Sequence, residues 1–246
     1  MARRVAIALA SILALGAAVA PAAERRGGEL PRGSEPVRID PDAFSTRIDN
    51  SYLPMRPGSR WVYRETHAGE PAQRVVVKVT KRTKLIANGV RARVVRDTVT
   101  QNGALVEDTF DWYAQDRRGN VWYLGEATKE YEKGKVVSTA GSWEAGVNGA
   151  QPGVVMPGRP RVGLQYRQEY LKGEAEDSAR VLSLDDQAEV PAGHFKRVLS
   201  TKDWNPLDPK VLEYKLYARG VGLVLAVDVS GGTGREELVR HSRGGR

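Results

Sequence analysis

Residues 107–126 read EDTFDWYAQDRRGNVWYLGE, and this stretch decides the fold. Two runs of alternating β-forming residues flank the segment DRRGN at 116–120. A glycine-asparagine turn between two such runs is typical of a β-hairpin. Aromatic side chains occur on both faces of these runs, so we expect one face to build a core and the other to contact something else.

The rest of the chain repeats this pattern of short strand-like runs and turn signals. Asn88-Gly89 and Asn102-Gly103 each precede a strand-like run, and Asn-Gly supplies the positive φ angles of two-residue hairpin turns. No long stretch keeps an apolar period of 3.6 residues. The sequence therefore predicts an all-β, mainly antiparallel fold with little helix: a curled open sheet, half-barrel or barrel-like sandwich.

The N-terminus predicts export. Arg3 and Arg4 precede a short apolar run over residues 5–19, and small residues that suit signal cleavage follow it. That pattern is typical of a secretory signal peptide, and the run is too short for a membrane span. We expect a secreted or periplasmic protein without a transmembrane segment after cleavage, divided into a signal peptide (1–23), a flexible linker (24–43), a single β-rich domain (44–240) and a disordered basic tail (241–246).

Composition excludes several kinds of chemistry. The 246 residues contain no cysteine, which removes disulfides, thiolate nucleophiles and cysteine metal ligands. The formal net charge is +8, and +6 without Arg3 and Arg4. Because the basic residues are interleaved with acids and form no stripe, we predict no nucleic-acid partner and consider an anionic cell-envelope component.

The three histidines give no indication of a metal site or a catalytic site. His67, His194 and His241 are too far apart in sequence for a histidine zinc motif, and no G-x-S-x-G elbow marks a serine nucleophile. The sequence therefore predicts no catalytic residue, no metal site and no cofactor.

Carboxylates leave one enzymatic alternative open. Asp108 and Asp111 alternate with aromatic residues in the hairpin, and Glu144 follows Trp143 in the glycine- and proline-rich excursion 140–163. Paired carboxylates beside aromatic platforms suit glycan hydrolysis or cleavage. Asp108, Asp111 and Glu144 thus form a candidate acidic site.

Three segments resemble uncharacterised bacterial secreted and lipoprotein-type proteins. Residues 49–63 (DNSYLPMRPGSRWVY) are similar to their opening Y-x-P-x-x-P-G-x-x-W-x-Y, residues 190–195 (VPAGHF) to a V-P-A-G-x-F turn, and residues 217–224 (YARGVGLV) to a Y-A-x-G-V-G-L-V ending. The resemblance implies a curled antiparallel sheet similar to periplasmic lipoprotein-carrier half-barrels. It implies no reaction.

A curled sheet that its own side chains do not fill leaves an apolar cleft. The favoured hypothesis is a non-catalytic binding protein that holds a hydrophobic or lipid-like molecule, and the alternatives are a glycan-active enzyme and a structural or interaction protein of the envelope. The candidate ligand-binding residues are Trp61, Trp112, Tyr113, Trp122, Trp143 and Met156.

Overall fold

The computed structural model describes residues 29–245, so the predicted signal peptide lies outside the described residues. These residues form one 3-10 helix, Pro41–Ala43, and sixteen β-strands. The strands are β1 (Phe44–Ser45), β2 (Arg60–Thr66), β3 (Gln73–Leu85), β4 (Arg91–Gln101), β5 (Ala104–Asp116), β6 (Val121–Glu132), β7 (Lys135–Ser138), β8 (Trp143–Glu144), β9 (Gln151–Met156), β10 (Gln165–Arg167), β11 (Glu169–Tyr170), β12 (Ser178–Val190), β13 (Gly193–Asn205), β14 (Asp208–Ala218), β15 (Gly222–Ser230) and β16 (Arg235–Ser242).

The strands form a single antiparallel sheet. Its order is β10-β12-β13-β14-β15-β16-β2-β3-β4-β5-β6-β9-β11, and the short strands β1, β7 and β8 pair with β5 or β6 outside this path. Sequence neighbours pair through most of the sheet, as hairpin-forming turns dictate. The C-terminal strand β16 pairs with β2 and joins the two halves of the chain. The prediction of an antiparallel all-β fold is confirmed.

The two edges of the sheet meet, so the sheet is a nearly closed barrel. β10 pairs with β12 at one edge and β11 pairs with β9 at the other, and Gln168 alone separates β10 from β11. Gly153 permits this approach, because a Cβ there would lie 2.2 Å from the carbonyl carbon and oxygen of Gln168. Bringing the edges of a sheet together shields them from other chains, which is the usual advantage of barrel closure.

The aromatic hairpin has the expected form. β5 and β6 pair antiparallel across the turn at 117–120. The Asp116 carboxylate accepts hydrogen bonds from the backbone N–H of Arg118 and of Asn120, both at 2.9 Å. It also accepts from the Trp122 indole at 2.9 Å, so one side chain stabilises the turn and orients an aromatic ring of the second strand.

Two clusters of buried side chains form the core. The main core gathers apolar residues, including Trp61, Val79 and Leu199, from β2, β3, β4, β6, β9, β10, β12, β13, β14, β15 and β16. The second core gathers Trp112, Leu124 and Trp143 with residues of the β3–β4 turn. β8 and β9 of the excursion 140–163 pair with β6, which brings Trp143 into this second core.

Both ends of the described chain contact the barrel. In residues 29–43, for which the sequence predicts a linker, Leu30, Val37 and Ile39 pack against the main core. The Arg167 backbone N–H donates to the Pro31 carbonyl at 2.6 Å. At the other end, for which the sequence predicts a disordered tail, the His241 ring stacks on Trp61 with centroids 4.9 Å apart.

Candidate functional site

An acidic wall lines part of the barrel interior. We define the acidic wall as Asp97, Glu107, Asp111 and Glu126, which lie on β4, β5 and β6. Asp111 pairs with Val95, and Glu107 pairs with Val99. Both valines belong to the main core. Since directly paired residues share a sheet face, these carboxylates point to the same side as the core.

Hydroxyl groups hold the acidic wall in place. The Tyr123 hydroxyl donates to Asp111 Oδ1 at 2.8 Å. Thr109 donates to Glu107 Oε1 at 3.1 Å, and Thr128 donates to Glu126 Oε2 at 2.8 Å. The two threonine hydroxyls lie 3.0 Å apart across the β5–β6 pair. These hydroxyl groups orient the carboxylates of Asp111, Glu107 and Glu126.

Burial and repulsion between neighbouring carboxylates change the pKa values of groups in and beside the acidic wall. Asp111 is 9% exposed, and burial raises its pKa well above the ordinary value. The neighbouring carboxylates of Glu126 and Asp97 raise the same pKa further, and the hydrogen bond from Tyr123 lowers it. Burial, together with the carboxylates of Asp111 and Glu126, also raises the pKa of the Tyr113 and Tyr123 hydroxyls well above their ordinary value, so both rings stay neutral.

A basic residue lies among acids on β13 and β14. Lys215 Nζ lies 3.2 Å from Asp203 Oδ2 and 3.0 Å from Glu213 Oε2. Gln168, at the closure of the barrel, donates to Asp203 Oδ2 at 3.1 Å. The two acids raise the pKa of Lys215 against the effect of its burial, so the ammonium group stays charged. Burial raises the pKa of the Tyr63 hydroxyl well above its ordinary value, and the carboxylates of Glu236 and Asp97 raise it further.

Glu169 adds a further buried carboxyl near the closure. Burial is the largest cause of its raised pKa, and the carboxyl of Asp177 is the second. The Trp143 indole acts in the opposite direction. At the junction of β9 and β11, burial therefore disfavours the charged form of the Glu169 carboxyl.

The structure brings three of the sequence-predicted residues together. Tyr113 stacks on Tyr123 with ring centroids 4.9 Å apart, and Trp143 meets the same ring edge-on at 5.4 Å. Asp111 accepts the Tyr123 hydrogen bond. Asp111, Tyr113 and Trp143 therefore surround Tyr123, which is not among the sequence-predicted site residues.

The other two predicted acids lie elsewhere. Asp108 forms an ion pair with Arg96, with Arg96 Nε 2.7 Å from Asp108 Oδ1. Glu144 Oε2 lies 2.7 Å from Lys84 Nζ. The same ammonium group lies 3.9 Å from the ring centroid of Trp112. Asp108, Asp111 and Glu144 do not converge on one site in this structure.

The remaining predicted residues belong to the core. Trp61, Trp122 and Met156 are buried in the main cluster. The Trp61 indole donates to the Val221 carbonyl at 2.8 Å, and Trp122 donates to Asp116. The exposed fractions of Trp61, Trp122 and Met156 are 4%, 7% and 0%.

Sequence reasoning missed Tyr123, Glu126 and Lys215. The alternation of Glu107, Thr109 and Asp111 along β5 is a signal for a polar inner face, but such a face is usually solvated. Only the pairing with buried valines on β4 identifies it as interior. Glu213 lies two residues before Lys215 on the same strand, but only the pairing of β13 with β14 brings Asp203 to the same ammonium group.

Within residues 29–245, no group of three or more His, Asp or Glu side chains is arranged to hold a metal ion. In the same range, no helix has the length and apolar character needed to cross a bilayer.

Comparison with known proteins relates this chain to two solved structures. No family model and no curated protein matches it. One structure is a candidate exported protein with a YmcC-like fold from Bacteroides fragilis NCTC 9343, with 15% identity and a TM-score of 0.45, covering 79% of this chain and 100% of that one. The other is a candidate lipoprotein from Parabacteroides distasonis ATCC 8503, with 12% identity and a TM-score of 0.42, covering 78% and 99%. Both TM-scores are below 0.5, so these likenesses carry no argument about function.

Proposed function

We propose that the protein is an exported, non-catalytic binding protein that holds an organic cation, such as an amine, against the acidic wall of its barrel. The observation that carries this proposal is the pairing of buried Asp111 with Glu126 on the inner face of the sheet. Close carboxylates in a partly desolvated site repel one another, and a bound cation relieves that repulsion. Export is inferred from the signal-like sequence of residues 1–23.

Tyrosine rings near the acidic wall would provide a second kind of contact with a bound cation. The stacked pair of Tyr113 and Tyr123 and the nearby Tyr63 present neutral aromatic rings beside the acids. Aromatic faces attract ammonium groups through the ring quadrupole, most strongly where the cation is desolvated. A carboxylate together with an aromatic face therefore favours an amine or quaternary ammonium group over a neutral molecule.

Calorimetric titration with spermidine tests this proposal. We expect binding to the wild-type protein, weakened about tenfold or more by Asp111→Asn, since a charge-assisted hydrogen bond contributes about 1.5–3 kcal/mol. Asp185→Asn is the matched control, because Asp185 is exposed and lies on β12 away from the acidic wall. Equal affinities in all three proteins, or no binding to any of them, would contradict the proposal.

The sequence predicts a hydrophobic or lipid-like ligand. Binding of such a ligand would require a change in the packing of the barrel. Trp61, Trp122 and Met156 are packed in the main core, so an acyl chain requires the barrel walls to separate. Native mass spectrometry of the protein purified from its own host distinguishes the two ligands. A co-purifying amine supports the cation proposal, and a co-purifying lipid overturns it.

One observation favours a glycan-active enzyme as a second candidate. The raised pKa of Asp111 beside Glu126 suits an acid and a base on one sugar ring. In that case Asp111→Asn and Glu126→Gln would each abolish the release of reducing ends from a polysaccharide panel. Wild-type protein that releases none would eliminate this candidate.

A further inference from the structure

A basic pocket of about 240 Å³ lies near the β5–β6 turn, away from the acidic wall. Three segments of the chain line it: the loop before β2, the β14–β15 turn and the end of β16. The basic pocket is defined by the side chains of Arg56, Arg219, Arg243 and His241, and Asp49 also lines it. The first two segments carry the opening and closing motifs of the resemblance.

Backbone contacts fix the walls of the basic pocket. The Gly220 N–H donates to the Ser51 carbonyl at 2.8 Å, which ties the β14–β15 turn to the loop before β2. Asn50 donates its side-chain amide to the carbonyls of Gly119 and Pro157 at 2.8 and 3.1 Å. The pocket is thus built on three ordered turns, and its shape does not depend on a single loop.

Charge in the basic pocket is unbalanced. Asp49 is the acidic residue of its lining. It is already engaged, because Arg47 Nε lies 3.2 Å from its carboxylate and Gln115 donates to it at 2.8 Å. Across residues 29–245, no carboxylate forms a salt bridge with Arg56, Arg219 or Arg243.

Two of the guanidinium groups are oriented by neutral partners. Arg219 stacks over the Tyr52 ring at 4.4 Å from the centroid. Arg243 donates one Nη2 hydrogen bond to the Gly220 carbonyl at 3.1 Å. Each guanidinium group carries five N–H donors in a planar fork, so both retain donors for another acceptor.

We propose that the basic pocket binds a phosphate group. Guanidinium forks match the oxygen spacing of phosphate, and several of them around one concavity can satisfy a multiply charged anion. The volume admits phosphate with a small substituent, so a free phosphate ester and a phospholipid headgroup share the recognised chemistry. This site is separate from the acidic wall and does not depend on the function proposed above.

Titration with inorganic phosphate, followed by ¹H–¹⁵N NMR, tests the site. We expect saturable shifts at the Gly220 amide and the Trp61 indole N–H, which lie at the pocket and beside it. Arg56→Gln and Arg219→Gln should each weaken phosphate binding about tenfold. Arg91→Gln is the matched control, because Arg91 is exposed at the start of β4, outside the pocket lining.

Co-sedimentation with vesicles distinguishes a phospholipid headgroup from a soluble phosphate ester as the source of the bound phosphate group. Binding to phosphatidylglycerol vesicles, but not to phosphatidylcholine vesicles, with loss in Arg219→Gln, indicates a headgroup. Phosphate shifts without vesicle binding indicate a soluble phosphate ester. Absence of both responses in folded wild-type protein overturns the proposal. Equal loss in Arg91→Gln also overturns it, because the effect would then reflect net charge alone.

Discussion

The acidic wall and the basic pocket are both clusters of like charge on one barrel, but they differ in burial. Asp111 is nearly inaccessible to water, and its neighbours raise its pKa. Arg56, Arg219 and Arg243 are exposed, and water screens their repulsion. Like charges therefore cost folding stability inside the barrel and little at its surface.

Opening the barrel should have the largest effect. Gly153→Ala places a Cβ 2.2 Å from the Gln168 backbone at the seam beside the acidic wall. We expect a loss of about 3–5 kcal/mol in the free energy of unfolding, since backbone must move to accommodate the methyl group. Urea denaturation measures it. Gly245→Ala, with no atom near its Cβ, is the control and should be neutral.

Removing the interior cation should come next. Lys215→Met leaves Asp203 and Glu213 without the ammonium group that lies between them. We expect a loss of about 2–3 kcal/mol, below the usual value for a fully buried pair because the lysine is partly exposed. Lys78→Met, on the exposed surface of β3, should change the urea midpoint little. If the two substitutions lowered the free energy of unfolding equally, the expected difference between interior and surface charge would be contradicted.

Neutralising the acidic wall should stabilise the protein. Asp111→Asn keeps an acceptor for the Tyr123 hydroxyl and removes the repulsion with Glu126. We expect a gain of about 1 kcal/mol at neutral pH. Combined with weaker spermidine binding, that gain would show that stability is sacrificed for a ligand site.

The same substitution should change the pH dependence of stability. A carboxyl whose pKa is raised by folding binds its proton more tightly in the folded state. The wild-type protein should therefore gain stability as pH falls from neutral towards about 4, the ordinary carboxyl pKa. The Asp111→Asn protein should gain less. Part of the dependence should persist, because folding also raises the pKa of Glu169. If the urea midpoints of the wild-type and Asp111→Asn proteins changed identically with pH between pH 5 and pH 7, the raised pKa of Asp111 would be contradicted.

Neutralising the basic pocket should have the smallest effect on stability. Arg56→Gln should change the free energy of unfolding by less than about 0.5 kcal/mol in buffer without phosphate. Its side chain is exposed and forms no salt bridge among the described residues. A large loss would indicate that Arg56 supports the loop before β2 in addition to any anion it binds.

Local patterns account for the parts of the fold that the sequence predicts. The hairpin at 107–126 follows from alternating β-formers around a turn, and the structure confirms it as β5 and β6. The two-residue period of a strand predicts that Asp111 and Tyr113 lie on one face of β5 and that Asp108 and Trp112 lie on the other. It holds in the structure, where Asp111 faces the main core and Asp108 pairs with Arg96.

The amino-acid sequence by itself determined the antiparallel strands, their turns and the alternation of their faces, because these depend on backbone preferences of neighbouring residues. Only the tertiary structure decided that the sheet closes at Gly153, that Glu144 lies apart from Asp111, and that Lys215 lies between two acids. Apart from Glu213, which lies two residues before Lys215, the residues in these relations are far apart in the chain. The relations depend on which strands meet and in which register, and no local pattern encodes that choice.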